Sequence, residues 1–266
     1  MKNIKAKNII LVLLAVICGA VLLYSLYQGL IIYIPQKQEQ QRFDELQQIV
    51  EREREESTAP VQTKPSEDET RAVYNEEENT AVYSDIERIN DDFRGWLRIE
   101  DTIIDYPVVK SPEDDPEYYL HRDFDRNYSF SGTPFIGAGA DENSDAFVVY
   151  AHNMNNGTMF GTLDNYADKG WAEQHPYIGF DTPGENRVYR VFAAFQTTLG
   201  SEDKFAYYDK VGKLTDEKYK ALVNGIKEAS VTEIGDCPAG KTQIIMLSTC
   251  SYHADNGRFV VAAYRV

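Results

Sequence analysis

The chain has 266 residues, 42% of them hydrophobic, with a formal net charge of −16 and an isoelectric point near 4.7. That length allows one or two domains, and so acidic a chain lacks the basic face that neutralising nucleic-acid phosphates requires. Its three cysteines, Cys18, Cys237 and Cys250, are too few and too scattered for a disulfide framework or a CxxC metal site. A single Cys237–Cys250 bridge stays open.

The first expected element is a membrane span. Residues 9–34, IILVLLAVICGAVLLYSLYQGLIIYI, contain no charged side chain. About 20 apolar residues cross a bilayer as a helix, whereas a cleavable signal has an apolar core of about 7–15. An uncleaved anchor is therefore expected. Lys2, Lys5 and Lys7 precede the run and no further cation comes before Lys37, so the positive-inside rule leaves residues 1–8 in the cytoplasm and the rest outside. Residues 36–57 are rich in helix formers, with Phe43, Leu46, Ile49 and Val50 as a narrow apolar stripe. They read as a charged helix or stalk that docks on a partner or stands in solvent. Residues 58–80 mix Pro, Ser, Thr and acid without periodicity and read as a linker. Residues 35–80 are thus an extracellular stalk and linker, and residues 81–266 the folded domain.

That domain opens on YSDIERI, a short helical piece with Ile86 and Ile89 on one side. Short β-type runs follow: WLRI, IIDYPVV, TPFIG, AFVVY, RVYRVFAAFQ, TQIIMLST and RFVVAAYRV. Gly, Pro, Asn and Asp separate them, the pattern of a barrel or sandwich. Residues 214–229 are the exception. Thr215 can cap a helix there, and Tyr219, Leu222, Val223 and Ile226 fall at helical spacing. The expected fold is a mostly β barrel with a helix inserted before the strand that carries Cys250.

Two residues near the end of the chain are the candidate chemistry. Cys250 follows IIMLST, and Arg258 heads the last β-run, joined to it by the turn YHADNG. A cysteine attacks as thiolate, so a reactive one needs a base or a cation beside it. An arginine can stabilise the thiolate or donate to an oxyanion. An inert core cysteine and a solvated arginine are the ordinary alternative, and spacing does not decide between them. Of four histidines, His152 lies where the apolar run AFVVY breaks into Asn and Gly. A strand end holds a side chain rigidly at a barrel rim, so His152 ranks above His121, His175 and His253, all in turn-like surroundings.

Together LSTC, an arginine opening the last β-run and the upstream YAHNM…GTMFGTL resemble the sortases, most closely class B. The resemblance covers about residues 81–266, including GWLRIEDTIIDYPVV, YYLHRDF and the helix at 214–229. It implies a closed barrel of about eight strands, with Cys250 as nucleophile, His152 as acid/base and Arg258 as oxyanion and substrate clamp. It also implies a cysteine transpeptidase that cuts a C-terminal sorting motif after threonine, NPxTx-like rather than LPxTG. The acyl group would pass from the thioacyl-enzyme to an amine of a peptidoglycan precursor or a pilin lysine. Ser248, Thr249 and Tyr150 are expected groove residues by the same resemblance, or else strand residues packing the barrel, and residues 197–213 are expected over the groove. No cofactor is implied and no metal cluster is visible. A cysteine peptidase that releases its product to water, and a silent sortase-like binding module, are the alternatives.

Overall fold

In the computed structural model of the protein, residues 2–57, 83–200, 205–250 and 256–266 are described. The expected linker over 58–80, His253 and the Cys250 side chain lie outside the described residues. The chain divides into two compact units, Met1–Arg42 and Phe43–Val266.

The first unit is the greater part of one helix, α1 (Lys2–Ser57), which continues through Pro35. Proline there removes one N–H from the i→i−4 ladder without ending the helix. The helix contains a stretch of mean hydropathy 2.0, long and apolar enough to cross a membrane. Its large apolar side chains, Leu22 and Leu23 among them, point outward.

The second unit takes in the other end of α1. Phe43, Leu46 and Val50 are 3%, 0% and 2% exposed and belong to the main hydrophobic core. Phe43 meets the Tyr106 ring edge-on at 5.2 Å, and Gln47 Nε2 donates to the Asp105 carbonyl at 2.9 Å. The stripe therefore docks on the chain's own barrel, and the compact unit begins at Phe43 rather than 81. Burying each such side chain is worth about 2 kcal/mol, enough to hold a helix end that the linker composition alone would leave in solvent.

Nine strands form one sheet: β1 (Phe93–Arg98), β2 (Asp105–Lys110), β3 (Phe135–Ile136), β4 (Ala146–Tyr150), β5 (Tyr177–Asp181), β6 (Val188–Thr198), β7 (Ser230–Glu233), β8 (Ile244–Cys250) and β9 (Gly257–Arg265). Their order is β5-β1-β2-β3-β4-β8-β9-β6-β7, and β5 also pairs with β6. That pairing closes an eight-stranded barrel and leaves β7 outside the ring on the edge of β6. The pairs β2–β3 and β4–β8 are parallel and the rest antiparallel. Strands β5 and β7 are not among the expected runs. YIGFD is short and bounded by prolines, and SVTE is mostly polar; both are strands because neighbours offer them open edges.

The barrel explains why AFVVY and IIML are continuously apolar. Phe147, Val149, Ile245 and Leu247 belong to the core that fills the barrel. Ala146, Val148, Ile244 and Met246 face a second cluster beneath α4 (Asp216–Ala229). Strands buried on both faces lose the usual alternation. On α4, Thr215 caps the first turn, accepting from Lys218 N–H, and Tyr219, Leu222 and Ile226 are buried. Asp216 and Glu217 lie at the positive end of the helix dipole. Two shorter α-helices, α2 (Ser84–Ile89) and α3 (Lys169–Gln174), also belong to the unit. Only α2 is legible as a helix in the sequence.

Candidate active site

Three strand ends meet at one point of the sheet. In the parallel pair β4–β8, Tyr150 is level with Ser248, and Ala151 N–H donates to Ser248 O at 3.2 Å. Two residues further along come His152, just past the end of β4, and Cys250, the last residue of β8. In the antiparallel pair β8–β9, Cys250 lies directly across from Arg258. The backbone thus brings the expected nucleophile, base and cation onto neighbouring strands, although His152 lies 98 residues before Cys250 in the chain.

His152 is half-buried, and its Nε2 lies 2.9 Å from the carbonyl oxygen of Leu120. A carbonyl only accepts, so Nε2 carries the proton and Nδ1 is the basic nitrogen of the neutral ring. Burial holds this imidazole below its ordinary value. The Leu120 bond opposes that shift, and the charges of His121 and Arg258 add to it. The ring of His121 stands 5.2 Å away, tilted by 36°. Arg258 is half-buried and spends one N–H on the Gly257 carbonyl at 2.9 Å. Its charge also bears on Tyr150, whose hydroxyl burial pushes up.

The three expected groove residues differ in placement. Tyr150 is partly exposed and stacks on Phe135 at 5.6 Å. Ser248 and Thr249 are 1% and 2% exposed. Ser248 Oγ is 2.7 Å from the Tyr207 hydroxyl, and Thr249 Oγ1 donates to Ala151 O at 2.8 Å. These two hydroxyls tie β8 to its cover and to β4. The segment expected over the groove, residues 197–213, begins as the end of β6 at Thr197 and Thr198 and is described again from Phe205 onward, where Tyr207 is buried against Ser248. Residues 201–204 lie outside the described residues.

The other candidates are structural. His175 stacks on Trp171 at 3.9 Å and its Nδ1 faces the Trp171 carbonyl at 2.8 Å. Cys237 is a free, buried thiol, so the Cys237–Cys250 bridge does not form. Its sulfur lies 4.0 Å from the Tyr219 hydroxyl, and burial pushes the thiol up. Among the described residues no cluster of three or more His, Cys, Asp or Glu could hold a metal ion. Sequence reasoning missed Leu120, whose contribution is a backbone carbonyl and carries no side-chain signal. It also missed Tyr207, one aromatic among several in FAYYD.

The sortase domain family matches residues 97–266. The chain belongs to the sortase family. It is 31% identical to sortase B of Listeria monocytogenes over 209 residues, covering 73% of this chain and 81% of that one. It is 26% identical to sortase B of Staphylococcus aureus over 263 residues, covering 96% and 93%. Among solved structures, a Staphylococcus aureus sortase B–substrate complex superposes with a TM-score of 0.71 at 25% identity, covering 88% of this chain and 98% of that one. Clostridium perfringens sortase B superposes with a TM-score of 0.60 at 29% identity, covering 68% and 98%. This sortase is most like class B, and it is a cysteine transpeptidase on a closed barrel whose relatives act at the cell surface.

Proposed function

We propose that this sortase cleaves a C-terminal NPxTx-like sorting motif after threonine and transfers the acyl group to an amine, with Cys250, His152 and Arg258 as its working groups. The observation that carries the reading is the register that sets Cys250, on the strand adjoining β4, opposite Arg258; β4 ends two residues before His152. The Cys250 thiol gives its proton to His152 Nδ1, the resulting thiolate attacks the threonine carbonyl carbon, and a tetrahedral oxyanion forms, to which the Arg258 guanidinium donates. His152 then protonates the departing amine as the C–N bond breaks. The thioester left on Cys250 is attacked by the incoming amine, which loses its proton to the same imidazole, and the C–S bond breaks. Both protein groups return to their starting states. The depressed His152 fits this cycle, because a ring neutral near pH 7 can accept the amine's proton.

The acceptor is an amine of a peptidoglycan precursor or a lysine of a pilin subunit; a sortase B has been solved in complex with triglycine, an amine-bearing peptide. In this reading α1 anchors the enzyme in the membrane, with residues 1–8 in the cytoplasm and the catalytic unit outside. Tyr150 lines the sorting-peptide side of the groove. The full chain in detergent, given an NPxTx peptide with and without triglycine or a lysine peptide, should yield an amine-dependent ligation product. Hydrolysate alone, whatever amine is offered, would make the enzyme a peptidase. Absence of any covalent adduct on Cys250 by mass spectrometry would favour a silent module.

A further inference from the structure

The element that holds His152 lies outside the three strand ends. A turn of 3-10 helix over Tyr118–His121 brings both the Leu120 carbonyl and the His121 ring to it. This turn is anchored from beneath. Tyr119 is fully buried, donates its hydroxyl to Asp92 Oδ2 at 2.7 Å and accepts from Asn90 Nδ2 at 3.0 Å. Tyr119 O accepts from Thr133 N–H, and His121 O from Ser129 N–H. Gly132, at φ +66, closes over the same turn, where any Cβ would collide with the Leu120 carbonyl oxygen. The backbone of this turn is therefore pinned on both sides, and its two contacts with His152 are delivered in fixed positions.

The two contacts do different things. The Leu120 carbonyl fixes which nitrogen carries the proton, but one hydrogen bond leaves an imidazole free to rock about it. A second ring beside it, 5.2 Å away and tilted by 36°, restricts that rocking. Three rings stand in series: Tyr128, 81% exposed, lies 6.4 Å from His121 with 22° between planes, and His121 lies 5.2 Å from His152. We propose that His121 is a positioning residue for His152, holding the imidazole face so that Nδ1 is presented to the strand ends of β8 and β9. The proposal rests on His152 being the acid/base group. The titratable and charged groups that bear on His152 are His121 from this turn and Arg258 from β9, and the influence of His121, like that of Arg258, opposes a positive charge on His152.

The test uses the full chain in detergent with its histidines labelled at Cε1, and two variants. His121→Phe keeps a ring and removes the charge, whereas His121→Ala removes both. His121→Ala should lower kcat/KM about tenfold with KM for the sorting peptide unchanged, less than the ~10²–10⁴-fold that acid–base catalysis itself supplies. His121→Phe should recover most of that loss at the pH optimum. In both variants the His152 resonance should titrate at higher pH than in the parent, and the acid limb of kcat/KM should move with it. An unmoved His152 resonance with an unmoved acid limb in both variants would overturn the proposal, and so would a His121→Phe rate no better than that of His121→Ala. If His152→Gln retains turnover, the acid/base reading fails, while the His152 resonance in the His121 variants still reports whether His121 holds that ring.

Discussion

His152 and Asp181 are both titratable groups taken out of water at strand ends, and they are held in opposite ways. Asp181 closes β5, and three donors converge on its Oδ2: Arg54 and Arg98 at 3.1 Å and the Tyr83 hydroxyl at 3.3 Å. Burial pushes its carboxyl up while Arg98 and Arg54 draw it down. His152, just past β4, has one carbonyl on Nε2 and two groups nearby that disfavour its positive form. The first arrangement clamps α1 and β1 to β5 and has no proton to exchange. The second leaves a neutral ring with a basic nitrogen, poised to take a proton. Two buried polar clusters in one barrel are separated by what surrounds them, not by residue type: opposing charge makes a clamp, and disfavoured charge with one supporting bond leaves an imidazole that favours its neutral form.

Substitutions on the two sides of this contrast should move different quantities. The largest effect belongs to Cys250→Ala, which should reduce peptide turnover to background while leaving the thermal unfolding midpoint within a few degrees of the parent. Residual turnover near the parent's would remove Cys250 from its role. Arg258→Lys keeps the charge and loses the planar fork, and should cost about 10²-fold in kcat/KM, the scale of one oxyanion donor. A rate like the parent's would make Arg258 a surface residue. At the clamp the quantities exchange places. Asp181→Asn should cost roughly 2–4 kcal/mol in urea unfolding, since it strands two guanidiniums that are only partly exposed, while specific activity of the folded enzyme stays the same. Loss of activity without loss of stability would erase the distinction between the two clusters.

The smallest effect is the pH dependence of His152. Its folded value lies below the ordinary imidazole value, so the unfolded chain binds the proton more readily in that window. Its contribution to stability is complete above the ordinary value near 6.5 and is lost as pH falls through the depressed one. Urea midpoints between pH 7.5 and 5 should therefore fall less in His152→Gln than in the parent. Equal slopes would mean that the ring titrates normally.

How much of this was legible in the sequence varies with the kind of interaction. The long apolar run, the capped helix at 214–229 and the two doubly buried strands could all be read from periodicity, because each is dictated by residues close in the chain. The stripe Phe43, Leu46, Ile49 and Val50 was visible, but its partner was not, since that partner is a barrel built from residues far downstream. Strands β5 and β7 were missed because open edges, not composition, make them strands. LSTC, the arginine after it and YAHNM pointed to a family, yet taken singly each had an inert alternative.

The chain alone determined an apolar segment long enough to cross a membrane, the mostly β character and the residue types able to do cysteine acyl chemistry, because these depend on local pattern and side-chain identity. Only the tertiary structure decided that Tyr150, two residues before His152, stands level with Ser248, two before Cys250, that Ser248 and Thr249 are buried, and that a carbonyl at Leu120 assigns the proton on His152. Those facts follow from strand register and backbone placement across about a hundred residues of intervening chain. No local run of amino acids encodes a register between strands so far apart; it is set when the barrel closes and every strand must bury its faces at once.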